Sequence, residues 1–425
     1  VEGLENRKIS LFSLVGIISN TIDLISPVLV NHHKQVAIIA YNLAKEKGLP
    51  WSKQKEIILA AILHDIGALT LEQRLTALDF EGKNLEDHMK TGYYLISEYT
   101  PFKSVAEIVR FHHVYWRGGK GREHNGQEVP MESHLLHLAD RIAVLIKKDR
   151  GILNQVDDVY KKITERSGTM FMPELVEVFK SLAHKEYFWL EAISNTIPEL
   201  FIEEKEADKI SLDDANLLNL TKFYAKIIDF RSPFTANHSS GVAATAQELA
   251  SLAGFSREEC RLMGIAGYLH DLGKLAIPVE IINKPGKLTK EEFNWIRCHS
   301  YYTYEALKSF PELATVNEWA SLHHEKLSGT GYPFHLNEEE LSLGSRIMAV
   351  ADVFTAITED RPYRRGMDSK MAIDVLEQMA RNNELDSQLV ALVKDNFSEL
   401  NNSRIAAQRI AKEDYGQFNY RLVAK

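Results

Sequence analysis

The chain has 425 residues, 45% of them hydrophobic and 26% charged, with a formal net charge of -9 at pH 7. That length exceeds one ordinary core and suits two domains of about 200 residues, and the apolar content with no low-complexity tract excludes a disordered protein. The acidic balance argues against binding a DNA or RNA polymer without sequence preference, which needs basic surface.

The longest apolar passage, Ile9 to Val30, is interrupted by Ser13, Asn20, Asp23 and Pro27. It falls short of the roughly 20 unbroken apolar residues of a membrane span and reads as a buried helix and its turn, packed between domains or across a homodimer. With no secretory leader pattern and only Cys260 and Cys298 present, no disulfide framework is expected and the cytoplasm is the natural compartment.

The first half then carries Asn31-His32-His33 with Val36-Ala37, next Leu63-His64-Asp65-Ile66-Gly67, then His88, His112-His113 and Asp140. A charged run, Glu203-Glu204-Lys205-Glu206, leads into Ser211-Leu212-Asp213-Asp214, an N-cap region. The expected division is therefore residues 1–205 and 206–425. The second half repeats the landmarks: Asn237-His238 with Val242-Ala243, Leu269-His270-Asp271-Leu272-Gly273, His299, His323-His324 and Asp352. His32 to His64 and His238 to His270 are both 32 residues apart, and His88 to His112 and His299 to His323 both 24. Such self-similarity marks a duplication. Apolar residues recur at period 3.6 over most of the chain, and Ser256 with Glu259 and Thr289 with Glu292 fit capping boxes. Two all-α domains follow, with His270-Asp271 at the end of one helix and His299 in the third turn of another.

Imidazoles and carboxylates converging from several helices are what a metal centre needs to polarise a phosphate and ionise water. His238, His270, Asp271, His299, His323, His324 and Asp352 supply that set. It exceeds the needs of one ion, so two divalent metals bridged by Asp271 are expected. Any one of these histidines alone would more often be structural; the ordered set reverses that.

These residues resemble the HD-GYP branch of the HD-domain phosphohydrolases. His270-Asp271-Leu272-Gly273-Lys274 looks like its HD-x-G-K signature, and His323-His324-Glu325 followed by Gly329-Thr330-Gly331-Tyr332-Pro333 looks like its HHE and GYP signatures. Asn283-Lys284-Pro285-Gly286-Lys287, Val350-Ala351-Asp352-Val353-Phe354 and Arg361-Pro362-Tyr363-Arg364 extend the likeness over residues 215 to 400. The resemblance implies two tandem helical bundles and hydrolysis of cyclic di-GMP or 3′,3′-cyclic GMP-AMP to a linear dinucleotide, with iron or manganese as the metal. It also implies phosphate contacts by Arg361 and Arg364 and a substrate loop containing Gly331 and Tyr332. Lys274, four residues beyond His270, suits a catalytic cation at the leaving oxygen, with Asp271 at the metals. Two departures stand out: Phe234 occupies a position where some members carry a glutamate, so no third metal is expected, and Ser328 replaces an aspartate before the loop.

The first half resembles a plain HD domain, with a possible second metal site at His32, His64, Asp65, His88, His112, His113 and Asp140. Register with His238 favours His32 over His33. His134 and His137 precede Asp140 by helical steps and read as structural. Ala68 stands where Lys274 stands, Val114 replaces Glu325, and Tyr115 to Arg122 replaces the GYP loop with a basic glycine turn, which suits either a nucleotide-phosphate contact in an allosteric site or, more commonly, a mobile surface loop. A regulatory or assembly role is expected of this half, ahead of a second active site. The alternatives are a metal-dependent nucleotide sensor or assembly module without hydrolysis, and a broader nucleotide phosphohydrolase.

Overall fold

The structure, a computed structural model, describes residues 8–26, 30–82, 85–194, 209–211, 214–231, 237–360 and 364–423. It divides into two compact units, Ser10–Lys209 and Ile210–Lys425, the second including the described residues Lys8 and Ile9. The amino-terminal unit contains helices α1 (Leu11–Asp23), α2 (His32–Glu46), α3 (Trp51–Leu63), α4 (Leu71–Ala77), α5 (Glu86–Ser97), α6 (Lys103–Arg110), α7 (Met131–Leu145), α8 (Val156–Thr164), α9 (Pro173–Ala183) and α10 (Glu186–Ala192). The carboxy-terminal unit contains α11 (Asp214–Phe230), α12 (His238–Leu252), α13 (Arg257–Leu269), α14 (Val279–Ile282), α15 (Lys290–Lys308), α16 (Ala314–Ser321), α17 (Leu343–Thr358), α18 (Ser369–Arg381), α19 (Ser387–Asp395) and α20 (Phe397–Val423). The all-α reading holds, and the apolar opening passage does form a buried helix, α1. Among the described residues no helix is long and apolar enough to cross a membrane.

Each unit is built on one central helix. α2 packs against α3 and α7, and α12 against α13, α17 and α20. The reason is the width of the apolar stripe: Val36, Ile39, Ala40 and Leu43 on α2, and Val242, Ala246, Leu249 and Ala250 on α12, are fully buried at helical spacing. Burial of each Val or Leu contributes about 1.5–3 kcal/mol, which outweighs the weak intrinsic stability of a 15-residue helix. The expected capping boxes at Ser256 and Thr289 form, each hydroxyl accepting from the backbone N–H of Glu259 or Glu292. A third box, Thr70 with Gln73, opens α4.

The turn after α3 and after α13 depends on glycine. A Cβ on Gly67 would lie 2.1 Å from the His88 carbonyl oxygen, and one on Gly273 would lie 2.0 Å from that of His299. Only a residue without a side chain lets the His-Asp turn press against α5 or α15 and so bring the next histidine to it.

Candidate metal centres

The repeated landmarks sit at repeated places in the helices. His32 and His238 open α2 and α12, His64 and His270 cap the ends of α3 and α13, and His88 and His299 lie within α5 and α15. Asp140 and Asp352 lie within α7 and α17, and the paired histidines follow α6 and α16.

In the carboxy-terminal unit the side chains form two poles joined by Asp271. At one pole His238 Nε2 is 3.1 Å from Asp352 Oδ1, and His270 Nε2 is 3.3 Å from Asp271 Oδ2 and 3.9 Å from Asp352 Oδ1. At the other, His299 Nε2 is 3.5 Å from Asp271 Oδ1 and 3.2 Å from His323 Nε2, and His299, His323 and His324 can share one ion.

The ring orientations are set by the helices. The Nδ1 atoms of His270, His299 and His323 lie 2.7, 2.5 and 2.7 Å from carbonyl oxygens three residues earlier, those of Gly267, Ile296 and Ala320. Donation from Nδ1–H leaves the Nε2 lone pairs pointing inward. Two such lone pairs facing each other at 3.2 Å repel unless a cation lies between them, and His270 Nε2 is buried without a hydrogen-bond partner among the described residues. The donor set therefore fits two borderline divalent cations. Burial keeps His299 and His324 in the neutral form that ligates, lowering them to about 3 and about 4. Burial also opposes protonation of His238, but Glu359 and Asp352 outweigh it and raise that imidazole to about 10. Despite their own burial, Asp271 and Asp352 are held well below the usual carboxylate range, Asp271 by His270 and Lys274 and Asp352 by His238.

Lys274 Nζ donates to Asp271 Oδ2 at 2.6 Å, with its side chain 20% exposed. Tyr332 packs its ring 4.8 Å from that of His324, while the Arg297 guanidinium lies 5.2 Å from the Tyr332 ring. Burial, then Asp352 and Asp271, push the Tyr332 hydroxyl upward, so it stays a neutral donor. Gly331 makes its close approach to this chain's own backbone: an added Cβ would lie 2.4 Å from Glu325 Cα and from Lys326 N. Gly329 has φ 72°, the left-handed region that suits glycine. Arg364 donates to the Ala356 carbonyl on α17. Arg361 and Phe234 lie outside the described residues. Ser328 bonds Thr330 through its hydroxyl at 2.8 Å and Asn383 through its backbone N–H at 2.7 Å.

The amino-terminal unit reproduces the geometry. His32 Nε2 is 3.3 Å from Asp140 Oδ1, His64 Nε2 is 3.3 Å from Asp65 Oδ2, His88 Nε2 is 3.6 Å from Asp65 Oδ1, and His88 and His112 face each other at 3.3 Å. Among the described residues, His32 Nε2, His64 Nε2, Asp65 Oδ1, Asp140 Oδ1 and both ring nitrogens of His113 are buried without hydrogen-bond partners, so this set also fits a metal. Three features differ. Arg141 donates to Asp140 Oδ2 at 2.6 Å, at the position held by Val353 in the other unit. His33 lies beside His32 with a ring nitrogen within ligand reach of His64 and Asp65, and it meets Asp23 at 2.5 Å. The basic glycine turn is pinned and not a free surface loop, because the N–H groups of Trp116, Arg117 and Gly118 bond the carbonyls of Met170, Thr169 and Gly168 at 3.1, 2.7 and 2.7 Å. His134 bonds the Gly121 carbonyl at 3.0 Å, which ties it to the same turn.

Several contributors were not found by motif. Glu359 lies 3.1 Å from His238 Nδ1 and orients that ring. Glu325, read only as a signature letter, accepts from the N–H groups of Phe334, His335 and Leu336 at 2.6, 3.1 and 3.1 Å and so ties down the loop after Tyr332. Thr303 donates to the His270 carbonyl and accepts from Gly273 N–H. Asp23 and Asp229 each stand nine residues before the first histidine of their unit. That equal offset was the available signal.

Comparison with known proteins agrees with the duplicated architecture. Residues 29–145 and 222–389 each match a family model described as HD domain. Over 387 residues the chain is 30% identical to the 3'3'-cGAMP-specific phosphodiesterase 1 of Vibrio cholerae serotype O1, covering 87% of this chain and 88% of that protein. A cyclic di-GMP phosphodiesterase of Pseudomonas aeruginosa is 43% identical over 141 residues, 33% of this chain and 34% of its own length. A crystal structure of a cyclic GMP-AMP specific phosphodiesterase from V. cholerae shares the fold, with TM-score 0.64 and 22% identity over 92% of this chain and 98% of that one. The chain belongs to the HD-domain family, in the branch that joins an amino-terminal HD domain to a carboxy-terminal domain of the HD-GYP type.

Proposed function

We propose that the carboxy-terminal unit hydrolyses a phosphodiester bond of a cyclic dinucleotide, cyclic di-GMP or 3′,3′-cyclic GMP-AMP, and releases a linear dinucleotide. The observation that carries this reading is the pair of donor poles joined by Asp271, with Lys274 on the same carboxylate. His238, His270, Asp271 and Asp352 would hold one divalent cation, iron or manganese, and Asp271, His299, His323 and His324 a second. Such ions supply charge to the phosphoryl oxygens and lower the pKa of water.

The remaining roles fall to this chain's own groups. Asp271 is the partner of Lys274 in the structure, and neutralisation of that carboxylate frees the ammonium to meet charge developing on the leaving oxygen. Tyr332, kept protonated, donates toward the phosphate or stacks on a base. Glu359 holds His238 in the orientation that presents Nε2, and Glu325 keeps the Tyr332 loop closed. His324, with its side chain 30% exposed, marks the open side where a phosphate can enter. The relative matching nearly the whole chain acts on 3'3'-cGAMP, which supports the hybrid ring as the first substrate to assay.

The test is metal-reconstituted hydrolysis of both cyclic dinucleotides side by side, with Asp271→Ala, Lys274→Ala and Asp65→Ala in parallel. Cleavage that survives Asp65→Ala and disappears in Asp271→Ala is expected. No linear product with iron, manganese, nickel or magnesium would leave a metal-dependent nucleotide sensor as the surviving alternative.

A further inference from the structure

In the carboxy-terminal unit α20 lies against α12. A helix in that place offers apolar residues at helical spacing, yet of Leu400, Arg404 and Gln408, which are 0%, 5% and 6% exposed at every fourth position, two are polar. Their hydrogen bonds lead to the metal centre. Arg404 Nε and Nη2 donate to Asn401 Oδ1 at 3.1 and 2.7 Å, and Arg404 Nη1 donates to Gln408 Oε1. Gln408 Nε2 then donates to Glu359 Oε2 at 2.9 Å, on the carboxylate that lies 3.1 Å from His238 Nδ1. The amide has one orientation that serves both neighbours, its oxygen toward the guanidinium and its nitrogen toward the carboxylate.

Gly241 and Glu359 are the places where the other helices receive this amide. A Cβ on Gly241, which follows His238 by three residues on α12, would lie 2.7 Å from Gln408 Nε2, so glycine admits the amide between the helices. Glu359 follows Asp352 by seven residues and caps the end of α17. The register of the repeat puts Gln35 and Lys147 at those two places in the amino-terminal unit. Glycine, carboxylate and amide thus occur as a set in one unit and not in the other. A buried amide costs stability unless it is paired. Here both heteroatoms are paired, and the nitrogen is spent on the carboxylate behind His238.

We propose that Gln408, braced by Arg404, is a positioning residue of the His238 pole: it fixes Glu359, Glu359 fixes the His238 ring, and α20 thereby belongs to the metal centre. This role rests on the metal reading given above for the carboxy-terminal unit and on no step of its hydrolysis.

The probe is Co²⁺, its affinity read by chelator competition in the full chain carrying His64→Ala and Asp65→Ala, which empty the amino-terminal cluster. The binding step lost on adding His238→Ala identifies one pole, and the step lost on adding His324→Ala the other. Gln408→Met is expected to weaken the His238 step about tenfold, as loss of support behind a ligand does, and to leave the His324 step unchanged. Gly241→Ala, which displaces the amide while favouring the helix, is expected to do the same, and Arg404→Lys to lose less than Arg404→Met. Both steps unchanged in Gln408→Met and Gly241→Ala overturn the proposal, as do both steps weakened alike, because general loosening does not select a pole. If Gln408→Met does not fold, Gly241→Ala decides. No cobalt in the carboxy-terminal unit of the parent chain overturns the metal reading together with this role. Cobalt bound without hydrolysis of any cyclic dinucleotide removes only the proposed function, and the Gln408 comparison still decides the role of α20.

Discussion

Glu325→Ala should release the loop that follows Tyr332 without unfolding the bundle. The carboxylate is buried and accepts three backbone N–H bonds, from Phe334, His335 and Leu336. Hydrogen bonds to a charged group are worth about 1.5–3 kcal/mol each, and three donors sharing two oxygens will not add fully. A loss of about 3 kcal/mol in the local closing free energy is reasonable, which corresponds to a roughly hundredfold larger open population. The amino-terminal unit has Val114 at this position and a differently built turn, as expected if the acid exists for the loop. Hydrogen exchange read by mass spectrometry over residues 329–337 is the assay, with α12 as an internal control. Protection lost in the loop and kept in α12 is expected, together with a raised KM. Unchanged protection of the Phe334 to Leu336 amides would refute the assignment of Glu325 as the loop's anchor.

Other outcomes follow from the same geometry. Lys274→Ala should lower kcat by about 10²-fold with metal content unchanged, the scale of one lost charge stabiliser; parallel loss of metal by elemental analysis would contradict that role. Glu359→Gln should weaken metal at the His238 pole about 10- to 100-fold, because the ring loses its orienting carboxylate, as measured by competition with a chelator. Gly273→Ala should cost several kcal/mol and displace His299, given a 2.0 Å approach to its carbonyl; a wild-type melting temperature would be inconsistent with the packing of the turn. In metal-free protein, His299 and His324, lowered to about 3 and about 4, refuse protons that the unfolded chain accepts below pH 6.5. Stability should therefore fall as pH drops from about 6.5 toward 4. His238, raised to about 10, contributes fully below pH 6.5 and loses its contribution as pH rises through about 10. Urea midpoints in chelator at pH 5, 7 and 9.5 check both limbs.

Much of the molecule was legible because its signals are local or repeated. The capping boxes lie within four residues, the apolar stripes follow the helix period, and the equal spacings of 32 and 24 residues expose two copies of one ligand set. Chemistry alone then demands that such imidazoles and carboxylates converge on metal. What the sequence could not reveal is which distant group supports each ligand. Glu359 reaches His238 across 121 positions and Arg141 reaches the Ala77 carbonyl across 64, and neither carries a motif. Ala68 reads along the chain as a lost charge; in space its carbonyl accepts a 2.8 Å hydrogen bond from the buried Arg74 side chain of α4. Sequence determines the residue types, the helix periods and the register of the repeat, because these depend on neighbours in the chain. Tertiary structure decides which buried charges meet, because side-chain electrostatics depend on separation in space.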